Sequence, residues 1–110
     1  MATTKNLEID QGASFVTYHQ YLDNDKIPIS LANHTVASQM RRSFFSANAT
    51  VITASIVDAA NGNIQLSLNS ANTSNLVSGR YVYDVAVTSN VSTTRVLEGL
   101  ITVNPRVTVI

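Results

Sequence analysis

Gly79-Arg80-Tyr81-Val82-Tyr83-Asp84-Val85-Ala86-Val87 constrains this chain more than any other stretch. Tyr81, Tyr83, Val85 and Val87 share one parity and are all apolar or aromatic. Val82, Asp84 and Ala86 share the other. A strand sends alternate side chains to opposite faces, so the stretch predicts a strand with one face on a core and one mixed face. Gly79 supplies the chain reversal that starts it.

The remaining chain offers partners of the same kind. Leu7 and Ile9 alternate, Gln11-Gly12 interrupts, and Ser14 to Tyr21 resumes around Phe15; these pieces read as one strand broken by a glycine bend. Leu22-Asp23-Asn24-Asp25-Lys26 is a turn. Ile27-Pro28-Ile29-Ser30-Leu31 reads as an edge strand, because proline donates no ladder bond. Thr35 to Arg42 sets Val36, Ser38 and Met40 on one side, and Ser43 to Asn48 is a loop. Asn61-Gly62 joins Ala49–Asp58 to Asn63–Asn69 as a hairpin, since both turn residues tolerate positive φ. Asn69 to Ser78 fits a single helical turn with Leu76 plugging one end of the core. Thr93 to Val103 is the last strand, with Gly99 as a bulge, and Pro105 ends it. The predicted core gathers Tyr83, Val85, Ile52, Ile56, Leu66 and Leu68.

About seven strands between turn signals, with no long helix, predict an all-β antiparallel sandwich. A length of 110 residues suits a single domain over 1–110. Surface scaling gives burial of roughly 65% of the unfolded surface, enough for one core.

Composition narrows the chemistry. Net charge is zero and the seven basic residues are scattered apart from Arg41-Arg42. A nucleic-acid track needs clustered cations, so no nucleic-acid partner is expected. With no cysteine, disulfides and thiolate chemistry are excluded. No signal peptide is visible, and no apolar run reaches a membrane span. Asp23-Asn24-Asp25 resembles the start of a calcium loop, but Ile27 stands where an oxygen ligand is required. His19 and His34 lack zinc-ligand spacing. Gly12-Ala13-Ser14-Phe15-Val16 lacks the second glycine of a nucleophile elbow. The expectation is therefore a non-enzyme with no catalytic, metal or cofactor-binding residues and no cofactor. N-x-S/T triplets at Asn33, Asn48, Asn72 and Asn90 read as chance in an Asn/Ser/Thr-rich chain. Arg41-Arg42 beside Phe44-Phe45 is a candidate interface anchor.

The G-x-Y-x-Y spacing of Gly79, Tyr81 and Tyr83 resembles the immunoglobulin-type F strand, with Tyr83 at the cysteine position. The chain as a whole resembles immunoglobulin-like modules of tailed-phage virion structural proteins, of cyanophage type, including the N-terminal modules of baseplate upper proteins. The residues that carry this are Asp10-Gln11-Gly12-Ala13-Ser14-Phe15, Ile27-Pro28-Ile29-Ser30-Leu31, Gln39-Met40-Arg41, Asp58-Ala59-Ala60-Asn61-Gly62, Leu76 to Gly79, Gly79 to Val85, Arg95-Val96-Leu97-Glu98-Gly99 and Val103. Asn33-His34 departs from it, since such modules often carry a glycine there. The resemblance implies a non-enzymatic virion part: capsid decoration, neck, tail or baseplate. It would be made in the host bacterial cytoplasm, assemble in multiple copies and contact other virion proteins, with no membrane partner. The alternative is a host-receptor or carbohydrate-binding module on the virion surface. Sugar sites use exposed aromatics, and the chain has no tryptophan. Arg106-Val107-Thr108-Val109-Ile110 alternates and is β-prone. It is expected either to add to a neighbouring subunit's sheet or to fold back on its own.

Overall fold

The computed structural model describes residues 3–22, 25–43 and 49–107. Its elements are β1 (Thr3–Thr4), β2 (Leu7–Asp10), β3 (Phe15–Gln20), β4 (Thr35–Arg41), β5 (Thr50–Asp58), β6 (Asn63–Leu68), α1 (Ser70–Ser74), β7 (Gly79–Thr88) and β8 (Thr93–Asn104). The strands run in the order β1-β8-β7-β4-β5-β6-β3, with β2 also on β8.

The alternation of Tyr81 to Val87 does what its parity requires. All four side chains of that face are buried, and β7 lies between β4 and β8. Ile64, Leu66 and Leu68 of β6 come from the opposite side of the core, Ile101 and Val103 from β8 beside β7, and Ile52 from β5. Ile56 is only half-buried and packs against this cluster from its margin.

Two layers face each other across the core. One contains β1/β2, β8, β7 and β4; the other contains β3, β6 and most of β5. The layers are joined because β5 belongs to both. Thr50, Val51 and Ile52 pair with β4, and from Thr53 the same strand pairs with β6. The sandwich is therefore one sheet curled into a half-barrel. Its two halves carry the strand orders of an immunoglobulin-like fold.

The chain departs from a purely antiparallel sandwich at its start. Thr3 and Leu7 to Asp10 run parallel to β8, in register with Leu97 and with Ile101 to Asn104. Gln11-Gly12 is not a bend inside one strand. It carries the chain from one layer to the other, so β3 pairs with β6 instead. The buried Thr73 hydroxyl holds this crossing. It accepts the Gly12 N–H at 3.1 Å and lies 2.8 Å from the Ala13 carbonyl. Gln11 Nε2 donates to the Leu76 carbonyl at 2.7 Å. The single helical turn α1 thus serves as a clasp, and Leu76 is buried at its end.

Ile27–Leu31 is not a strand. Its alternation is real, but only Leu31 reaches the core, and Ile27 is exposed. The segment makes one isolated bridge, Leu22 with Pro28, and crosses the end of the sandwich. Proline removes the donor a second ladder bond would need. Leu31 then enters a tight turn closed by His34 N–H on the Leu31 carbonyl, with Asn33 at φ 63°. Asparagine is among the residues that tolerate this left-handed position.

Asn61-Gly62 closes the hairpin differently from a two-residue turn. Gly62 alone takes the left-handed conformation, at φ 71°, and its N–H returns to the Ala59 carbonyl. A Cβ there would sit 2.6 Å from the Ile29 carbonyl oxygen and 2.8 Å from that of Tyr21. The bulge in β8 is at Val96, not Gly99: Val85 faces Leu97 while Ala86 faces Arg95. The extra residue lets adjacent Val96 and Leu97 both be buried. Gly99 has another task, since a Cβ on it would collide with the Lys5 carbonyl oxygen. Only glycine lets the parallel N-terminal segment cross β8 this closely.

Candidate functional site

The outward parity of β4, β7 and β8 places Gln39, Arg41, Val82, Asp84, Glu98 and Leu100 on one surface. Together with Thr4 and Asn6 they line an open depression of about 790 Å³. Val82 and Leu100, cross-strand partners, form its apolar floor. Arg95 stands at the rim and bridges two carboxylates, Asp84 at 3.4 Å and Glu98 at 3.3 Å. All three side chains are well exposed, so these contacts are screened and contribute little to stability. Their consequence is electrostatic: with Arg41 on the same surface, two cations match the two anions, leaving a polar surface without a strong field. Asn6 Oδ1 accepts the Leu100 N–H at 3.1 Å, and Gln39 Oε1 accepts from Arg41 at 3.2 Å.

The paired arginines do not act together. Arg41 lies in the depression, whereas Arg42 turns to the strand end, with its guanidinium carbon 5.0 Å from the centre of the Tyr81 ring. Arg42 Nη1 also reaches the Ser78 carbonyl at 3.4 Å. Phe44 and Phe45, the other half of that candidate anchor, lie outside the described residues.

Both β7 tyrosines are tied to main chain. Tyr81 donates its hydroxyl to the Val77 carbonyl, four residues upstream, at 2.7 Å. This is the tyrosine corner of immunoglobulin-like folds, in which the tyrosine precedes the cysteine position by two residues. Tyr83 occupies that cysteine position and donates to the Lys5 carbonyl at 2.6 Å. Where a disulfide would bind layer to layer, a buried phenol here ties β7 to the N-terminal segment. Its burial pushes the Tyr83 hydroxyl up to about 12.

The two histidines are far apart. His19 sits on the inward parity of β3, half-buried. Burial, and then the charge of Lys5, lower its pKa below the ordinary value. His34 Nδ1 lies 2.8 Å from the Ala32 carbonyl in the Leu31 turn. Among the described residues no group of three or more His, Cys, Asp or Glu side chains is placed to hold a metal ion. Asp23 and Asn24, of the calcium-like triplet, lie outside them. Ser14 is an exposed residue of the crossing between β2 and β3. Of the asparagine triplets, Asn33 is in a turn, Asn72 in α1 and Asn90 in the β7–β8 turn; Asn48 lies outside the described residues. No described helix is long and apolar enough to cross a membrane.

Of the C-terminal stretch, Arg106 is held against the crossing. Its N–H donates to Gln11 Oε1 at 3.2 Å and its guanidinium to Ser74 Oγ at 3.1 Å. Val107 is fully exposed. Thr108, Val109 and Ile110 lie outside the described residues, so the expected strand addition falls mostly beyond them.

No family model matches the chain, and no curated protein matches it. Among solved structures, InlP of Listeria monocytogenes aligns over 94% of this chain at 14% identity, with a TM-score of 0.48. The chain spans 28% of the length of that protein.

Proposed function

We propose that the chain is a non-enzymatic structural part of a tailed-phage virion, in the capsid decoration, neck, tail or baseplate, held by contacts with other virion proteins. The observation that carries this reading is where the resemblance residues fall. Gly79, Tyr81 and Tyr83 form the corner and its central strand, Asn61-Gly62 closes the hairpin, and Gln11-Gly12 makes the layer crossing. They mark a framework module, and the outer face of β4, β7 and β8 is polar with its charges internally matched, as suits packing against protein. The test is composition. Mass spectrometry of purified particles from the source phage should find this chain at fixed stoichiometry with a capsid or tail protein. Its absence from intact particles would end the reading.

The second reading is a carbohydrate or host-receptor binder. It is favoured by the depression, where amide, guanidinium and carboxylate groups stand over Val82 and Leu100. A glycan array that detects specific binding, lost in Gln39→Ala, would replace the first reading with this one.

A further inference from the structure

The strand β3 closes one end of the curled sheet, and its outer edge is open. The Tyr21 N–H donates to the Gly62 carbonyl at 2.8 Å. Main-chain groups alternate sides along an antiparallel strand. Phe15, Thr17 and His19 therefore turn their N–H and C=O groups to β6, while Val16, Tyr18 and Gln20 turn theirs outward. The Lys5 ammonium agrees with this, reaching the outward Tyr18 carbonyl at 3.2 Å. Among the described residues, no other partner meets the outward main chain of these residues. Their side chains are exposed as well, Val16 at 51% and Tyr18 at 60%. The strand contains no proline, bulge or charged residue. Soluble proteins normally blunt such an edge, and the lone device here is Lys5.

We propose that this edge pairs antiparallel with β3 of a second copy, about a two-fold axis at Tyr18. The argument for a second copy is electrostatic. In a two-fold pair centred on Tyr18 that residue meets its own counterpart and its neighbours stand close to the axis, so a charge at Tyr18 would meet a like charge directly. Val16 to Gln20 carries none, and burial holds His19 toward its neutral form. The adjoining outer face of β6 and β5, with Ser67, Gln65, Thr53 and Ser55, is also uncharged. Centred on Tyr18, the register sets Tyr18 against Tyr18 of the second copy and Val16 against its Gln20. The outward N–H and C=O groups then exchange hydrogen bonds, and two aromatic rings meet across the axis. Lys5 must swing away, so it acts as a guard that weakens the pairing. The inference is independent of the virion reading.

The experiment is sedimentation velocity over a wide concentration range, with amide hydrogen exchange at the same concentrations. The wild-type chain should dimerise as concentration rises, and the Val16 and Tyr18 amides should gain protection with it. Tyr18→Lys, which sets two cations against each other across the axis, and Tyr18→Pro, which removes an outward donor, should abolish the dimer with unfolding temperature unchanged. If Tyr18→Pro fails to fold, Tyr18→Lys carries the test alone. Lys5→Ala should shift dimerisation to lower concentration, and Val51→Lys, on the other layer, should leave it intact. A wild-type chain that stays monomeric throughout overturns the proposal. So does a dimer that survives Tyr18→Lys, since association would then use another surface.

Discussion

The Tyr83 hydroxyl and the Lys5 carbonyl, 2.6 Å apart, join the central strand of one layer to the segment that crosses it. Gly99 faces Tyr83 across the β7–β8 ladder and clears the space in which they meet. Tyr83→Phe keeps the ring and removes the bond, leaving a partly buried carbonyl unpaired. The expected loss is about 1 kcal/mol, read by urea unfolding.

The same phenol gives the protein an alkaline limit. Its ordinary pKa of 10 rises to about 12 in the fold because burial disfavours the phenolate. The folded state then holds a proton that the unfolded chain releases. This contribution to stability is complete below pH 10 and is lost as pH rises through 12. Wild type should therefore lose stability over that window relative to Tyr83→Phe, in melts at stepped pH.

His19 sets an acid limit by the opposite route. Its pKa is lowered from 6.5, first by burial and then by Lys5. Below pH 6.5 the unfolded chain gains a proton that the folded chain resists, so stability falls until the folded value is passed. His19→Gln should flatten this acid-side decline. An unchanged pH profile in that variant would place the titrating group elsewhere.

Gly99→Ala puts a methyl group against the Lys5 main chain, which cannot yield as a flexible side chain would. The expected cost is about 1–3 kcal/mol, the range for forced overpacking. Hydrogen exchange should show the β2 amides opening before those of β7.

Leu66 is completely buried at the centre of the layer opposite β7. Leu66→Ala should cost about 2–5 kcal/mol, as for aliphatic truncations that leave a cavity. A loss near zero in denaturant titration would contradict its inward parity.

What the sequence disclosed depended on how local the cause was. Tyr81 to Val87 and Ile64 to Leu68 follow a two-residue period, so their buried faces were readable directly. Leu76 was readable as the apolar plug of a segment otherwise rich in Asn, Ser and Thr. Ile27–Leu31 carried the same period and misled, because alternation does not reveal whether a neighbouring strand is there to accept it. The Gln11-Gly12 crossing, the parallel pairing of β2 and the passage of β5 between layers are all choices of partner, which no short window contains. Gly99 was visible as an anomaly, but its cause lies at Lys5, remote in sequence. The Val96-Leu97 pair was the legible trace of the bulge, two adjacent apolar residues where the period allows one inward. Of the depression, the outward parity of Val82 and Asp84 was apparent, while their meeting with Glu98, Leu100 and Asn6 required the strand order. The edge formed by Val16 to Gln20 was hidden for the same reason, since β3 was read as a continuation of β2.

The parallel seam between β2 and β8 also determines how the protein carries load. Both strands run the same way, so a pull between Thr3 and Val107 draws them along their length in opposite directions. The bonds from Leu7–Ile101 to Asp10–Asn104 are then strained together instead of peeling open one after another. Resistance to such a pull comes from shear of this short ladder, reinforced by the Tyr83 tie to Lys5.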